Sequence, residues 1–151
     1  MNQKEKTLSV SAIKDGTVID HIKAGQGLKI VRLLTLAEAR ITVGLNLKSA
    51  SLGLKDLVKV EGVFLTPQEA AHIALFSPSA TVNVIEQYKV VKKFSVALPE
   101  AVSGVLQCPH PQCITHSEAV PSRFSVEASN GLIVLRCRYC EKTFLRDELK
   151  D

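Results

Sequence analysis

The four cysteines of the chain all lie in its last third, as Cys108-x4-Cys113, then 23 residues, then Cys137-x2-Cys140. Two close thiol pairs, each on its own turn, can bring four sulfurs to the corners of a tetrahedron. That is the geometry a divalent zinc prefers in a closed structural site. Four thiolates leave no open position for a water, so such an ion holds a fold together and does no chemistry. Disulfides are uncommon in a chain without an export signal. A thioredoxin-type reading of Cys137 and Cys140 leaves the other pair idle. An iron–sulfur cluster also takes four thiolates, and spacing does not distinguish it. His110 and His116 are the nearby competing ligands; with four cysteines present they read as loop residues.

The second group of residues able to do chemistry is basic. Lys55 and Lys59 have the same parity along a predicted strand, so both side chains leave the same sheet face. Lys92 and Lys93 follow Tyr88, and Asp20-His21 stands near the end of an early strand. Together they could hold a polyanion such as a nucleoside triphosphate, although a solvated basic face is the commoner origin of such a pattern. No glycine-rich phosphate loop is present, and Gly25-x-Gly27 is too short a match to count. Catalysis finds little support: there is no nucleophile elbow, no metal site with an open position and no clear Cys–His pair outside the cysteine module, which leaves the Asp20-His21 dipeptide to be argued as acid–base chemistry. Asp20 and His21, as strand neighbours, are expected to point to opposite faces.

Charge divides the chain in the same place as the cysteines. Residues 1–97 carry 13 Lys+Arg against 8 Asp+Glu, a net of +5, and residues 98–151 carry 6 against 7, a net of −1. An anion is therefore to be sought on the first part. A zinc-ribbon nucleic-acid binder is the functional rival, but such a surface normally shows a basic excess. The cysteine module is acidic even before its thiolates are counted. Protein docking or assembly is the better reading. At 46% hydrophobic residues the chain can build a core, one made mainly of Val, Leu, Ile and Ala, since it has no Trp. The opening MNQKEKTLSV lacks the apolar stretch of a secretory signal, and no apolar run approaches the ~20 residues that span a bilayer. The expectation is a soluble, cytoplasmic protein.

Two domains are expected to position these groups, 1–97 and 98–151, hinged at Ala97-Leu98-Pro99-Glu100. In the first, strands are predicted over 8–13 and 17–22 around an Asp15-Gly16 turn, then a helix over 28–39 with Leu28, Val31 and Leu34 inward. Strands follow over 40–47 and 56–64. Thr66-Pro67-Gln68-Glu69 is a capping box with proline at the first helical position, opening a helix that ends before Pro78. Strands over 80–85 and 88–94, joined through Glu86-Gln87, complete the domain. The fold class is α+β: a mainly antiparallel, ferredoxin-like sheet with two helices on one face. The second domain is a small β module whose hairpin, 123–127 and 132–136, turns at Asn130-Gly131. Some 54 residues cannot secure a core unaided, so a metal staple is expected.

With these segments assembled, the sequence resembles the regulatory chains of bacterial aspartate carbamoyltransferase over essentially its whole length. The resemblance is carried by residues 16–22 (GTVIDHI), 40–47 (RITVGLNL), 55–61 (KDLVKVE), 80–83 (ATVN) and 137–142 (CRYCEK), and by both cysteine spacings. It implies a non-catalytic subunit of pyrimidine biosynthesis, with an allosteric nucleotide-binding domain and a zinc domain docking on the catalytic chain. It implies regulatory homodimers bridging two catalytic trimers into a dodecamer with three such dimers. CTP inhibits, UTP often acts alongside it, and ATP activates in many members. By matched position, Val10, Ala12 and Ile13 would take the base, with Asn83 and Tyr88 nearby. Asp20, His21, Lys59, Val90 and Lys93 would face ribose and phosphates. Ile85 would line the wall, and Lys55 would serve a second nucleotide or the ribose side. Ser11 and Thr7 stand where the best-known members carry glutamate and lysine, which bears on effector selectivity.

Overall fold

A computed structural model describes residues 12–34 and 38–150. The chain divides into two compact units, 1–97 and 98–151. The predicted strand over 8–13 falls mostly outside the described residues, as does Val10; Ala12 and Ile13 are not in a strand.

In the first unit β1 (Gly16–Lys23), α1 (Gly27–Leu33), β2 (Ile41–Ser49), β3 (Gly53–Glu61), α2 (Pro67–Ala70) and β4 (Thr81–Glu86) run in a βαββαβ order. β5 (Lys89–Ser95) is added as a hairpin. The sheet order is β2-β3-β1-β4-β5, every pair antiparallel. Without β5 this is the ferredoxin-like arrangement. One sheet face is the core: Ile19, Ile22, Val58, Val60 and Val82 are fully buried there, with Ile30 of α1 and Ile73 of the 3₁₀ turn Ala71–Leu75 that continues α2. The other face carries the site described below.

Several element boundaries differ from expectation for local reasons. α1 stops at Leu33 and buries Gly27 and Ile30, while Leu28 is exposed, so the inward face is one the apolar spacing did not indicate. β3 runs Gly53–Glu61 rather than 56–64, because Gly62 turns the chain at a positive φ and donates its amide to Asp15. At α2, Thr66 caps the Glu69 amide at 3.2 Å, and Glu69 answers by accepting from the Thr66 hydroxyl rather than from its amide. The β4–β5 turn is Gln87-Tyr88, both at positive φ, so Tyr88 is a turn residue and not a strand residue.

The second unit is a four-stranded antiparallel sheet of β6 (Ala101–Ser103), β7 (Arg123–Ser129), β8 (Leu132–Cys137) and β9 (Thr143–Leu145), in that order. Asn130 and Gly131 both take positive φ between Ser129 and Leu132, the two-residue hairpin that Asn-Gly favours. Val102, Leu106, Phe124, Leu135 and Leu149 form a core only a few side chains across, completed by Cys108, Cys113 and Cys137.

Candidate functional site

Strand register places most of the expected site residues of the first unit on one sheet face. Thr42 pairs with Lys59, Lys59 with Val18, Val18 with Asn83 and Asn83 with Lys93, a single row across all five strands. Directly paired residues share a face, so Lys59, Asn83 and Lys93 stand together. The neighbouring row holds Gly16, Ile85 and Val90. On the other side, Asp20 pairs with Thr81, and Lys55 Nζ lies 2.8 Å from Asp20 Oδ1. Lys55 and Lys59 leave the same face, as their parity on β3 requires.

Asp20 and His21 correct the expectation that they diverge. Between Ile19 and Ile22 the pairing with β3 slips, so that two residues of β1 face one of β3. His21 has φ 55. This bulge keeps Ile19 and Ile22, three positions apart, both in the core, and turns Asp20 and His21 toward the same open face. His21 Nδ1 lies 3.0 Å from the Thr81 hydroxyl, which partners Asp20 in β4. The bulge's backbone groups find side-chain partners: the His21 amide donates to Asp20 Oδ1 at 2.6 Å, the His21 carbonyl accepts from Ser79, and the Lys23 amide donates to Ser77. A second slip, in β2 at Leu45-Asn46, lies on the far side of β3. There the fully buried Asp56 carboxylate accepts the amides of Gly25, Gly27 and Asn46 at 2.9–3.0 Å. Asp56 and Thr42 escaped the sequence reading, because the register between strands cannot be seen from one strand's pattern.

Burial opposes ionisation of Asp20, but the hydrogen bonds from Lys55 and the His21 amide, with the charges of both residues, outweigh it and hold the carboxyl below its usual value. Lys59 is only 8% exposed, and that burial pushes its ammonium pKa down. At the hairpin end, the Tyr88 amide donates to the Lys14 carbonyl and the Gln87 amide to Asp15 Oδ1. These bonds fasten the turn to the segment after Ala12 and Ile13. Ile13 is buried, whereas Ala12 is exposed and Tyr88 is 67% exposed.

In the second unit the four cysteine sulfurs lie within 4.8 Å of one another. Cys108–Cys140 and Cys113–Cys137 are each 3.7 Å apart, far beyond a disulfide bond. A tetrahedron with sulfur about 2.3 Å from a central ion has edges of about 3.8 Å. The residues therefore fit one tetrahedral ion, and such tight clustering leaves no volume for several metals. β8 ends on Cys137, Cys140 sits in the turn before β9, Cys108 follows β6, and Cys113 opens a 3₁₀ turn at Ile114–His116. Burial drives the thiols of Cys108 and Cys137 up. At Cys113 the hydroxyl and amide of Thr115 overcome burial and bring the thiol down to about 7. The two histidines are not drawn into the cluster. His116 Nε2 donates to the Cys108 carbonyl at 2.8 Å, and His110 Nδ1 is buried without a hydrogen-bond partner among the described residues.

Comparison with known proteins agrees over both units. The aspartate carbamoyltransferase regulatory chain, allosteric domain, matches residues 8–97, and the metal binding domain of the same chain matches residues 100–150. The chain belongs to this family. Among its relatives, the aspartate carbamoyltransferase regulatory chain of Aeromonas hydrophila is 52% identical over 149 residues, 97% of this chain and 96% of the relative. That of Tolumonas auensis is 53% identical over 146 residues, and that of Vibrio vulnificus 51% over 146, each covering 95% of both chains. Membership makes this a regulatory chain with a metal-binding domain. No helix among the described residues is long and apolar enough to cross a membrane.

Proposed function

We propose that this chain is the non-catalytic regulatory subunit of a cytoplasmic aspartate carbamoyltransferase, carrying nucleotide control to the catalytic chain through a zinc-held docking module. The observation that carries the reading is the cross-sheet row of Lys59, Asn83 and Lys93. Lys59 and Lys93 stand three strand spacings apart, about 14 Å between backbones, with small Val18 and polar Asn83 between them. Two extended lysines so placed can converge on one triphosphate. Burial disfavours the charged form of Lys59, and a phosphate beside it would favour that form.

In this reading Lys59 and Lys93 hold phosphates. Asp20, His21 and Val90 face the ribose, Lys55 orients Asp20, and Ile85 forms the wall. Val10, Ala12, Ile13, Asn83 and Tyr88 surround the base of CTP, UTP or ATP. Cys108, Cys113, Cys137 and Cys140 hold one structural zinc, whose tetrahedral preference matches the sulfur spacings. The zinc supplies folding free energy to a core too small to stand alone. Regulatory homodimers, three to an assembly, bridge two catalytic trimers. Nucleic acid is not a partner, since the metal module is acidic.

The test is to mix the purified chain with aspartate carbamoyltransferase catalytic trimer and follow carbamoyl aspartate formation with and without CTP, UTP and ATP. The expected result is a larger native mass and a rate that responds to nucleotide, with no turnover by this chain alone. An assembly whose rate ignores all three nucleotides, with no nucleotide binding by the isolated chain, would sink the reading.

A further inference from the structure

We infer that Thr115 is a positioning residue of the metal centre, setting through its hydroxyl how tightly the four-cysteine cluster holds its ion. The inference rests on the metal reading above and adds a group outside the cysteines. The 3₁₀ turn Ile114–His116 begins directly after Cys113. Its middle residue donates Oγ1–H to Cys113 Sγ at 3.2 Å, while His116 from the same turn donates to the carbonyl of Cys108. One short turn thus grips both residues of the pair.

The hydroxyl matters because four thiolates around one dication leave two net negative charges in a pocket where Cys108, Cys113 and Cys137 are 3% exposed or less. In such a setting a hydrogen bond to an ionised sulfur is stronger than one between neutral groups. Groups that orient metal ligands commonly change affinity by about 10–100-fold when removed.

Thr115→Val keeps the branched shape and deletes the donor, whereas Thr115→Ser keeps the donor. Full-length wild-type and variant chains are loaded with Zn2+ and titrated with a chromogenic chelator. In parallel they are loaded with Co2+ to record the sulfur-to-metal charge-transfer band. Thr115→Val is expected to hold Zn2+ about 10-fold or more weakly and to shift the band. Thr115→Ser is expected to match wild type in both. A Thr115→Val chain that takes up no metal while Thr115→Ser does supports the inference equally. The inference is overturned if Thr115→Val retains Zn2+ as wild type does, or if Thr115→Ser is as weak as Thr115→Val, which would make packing the cause. A wild-type chain that binds no Zn2+ at all would instead refute the metal reading itself.

Discussion

Lys59 is a buried cation on the sheet face opposite the core, and its titration gives the site a signature. Its folded pKa lies below the ordinary 10.5 because burial penalises the charged form. Protonated Lys59 therefore opposes folding; that penalty is complete below the lowered value, shrinks as pH rises above it and is gone above 10.5. A bound phosphate reverses the preference, so nucleotide affinity is expected to fall as pH rises through a value below 10.5. Calorimetry across that range should also record proton uptake on binding; affinity flat up to the ordinary lysine range would count against the phosphate role. Asp20 works in the opposite sense. Its carboxyl is held below 3.8, mainly by Lys55 against the opposing effect of burial. The stability it contributes is complete above 3.8 and lost as pH falls through the lower folded value. Asp20→Asn should thus be less stable than wild type in urea at neutral pH. The two should converge in acid, and equal neutral stabilities would show the pair to be idle. The pairing of Lys55 with Lys59 on one face was legible from their spacing. The pairing of Lys55 with Asp20 was not, since it needs the register between two strands.

Among the elements, turns chosen by glycine were legible and irregularities within strands were not. Asn130-Gly131 announced a hairpin and made one, with Gly131 at φ 78 and nothing within 4 Å of where a Cβ would stand. Gly131→Ala should therefore cost only the left-handed strain of an L-residue, about 1–2 kcal/mol. Asp15-Gly16 reads alike in sequence but acts differently. Gly16 begins β1 at φ 146, and a Cβ there would lie 2.1 Å from the Val60 carbonyl oxygen. Strain and overlap add, so Gly16→Ala should cost about 3 kcal/mol or more and disturb the β1–β3 pairing. Urea unfolding of the two variants checks the contrast, and a Gly16→Ala chain as stable as Gly131→Ala would contradict it. The bulge at Asp20-His21 had one faint signal, Ile19 and Ile22 three apart in a segment otherwise read as a strand. Alternation alone puts one of them outside the core; only an inserted residue keeps both inside. α1 was overextended for a related reason. Leu28, Val31 and Leu34 repeat at helical spacing, yet the sheet they were expected to cover lies against Ile30, and Leu28 faces solvent.

At the scale of the molecule, the proposed division of labour rests on how differently the two units are held together. The first unit buries full strands and helices. The second has a core of a few side chains around its cysteines. Structural zinc sites bind with roughly 10–16 kcal/mol of apparent free energy, comparable to or above the whole stability of an ordinary domain, about 5–15 kcal/mol. Cys113→Ser should therefore unfold the second unit outright, leave the first folded, and abolish assembly with the catalytic chain. Lys59→Ala acts elsewhere. It removes a cation that burial disfavours, so folding and assembly should persist near wild-type levels while the nucleotide response is weakened or lost. A nucleotide can shift the assembly only by binding its two states unequally, so a chain that no longer grips phosphate has nothing to transmit. Native mass, basal rate and rate with CTP or ATP, measured on the same two variants, separate these outcomes. Loss of assembly in Lys59→Ala, together with a Cys113→Ser chain that still assembles and responds to nucleotide, would assign the two tasks to the opposite units.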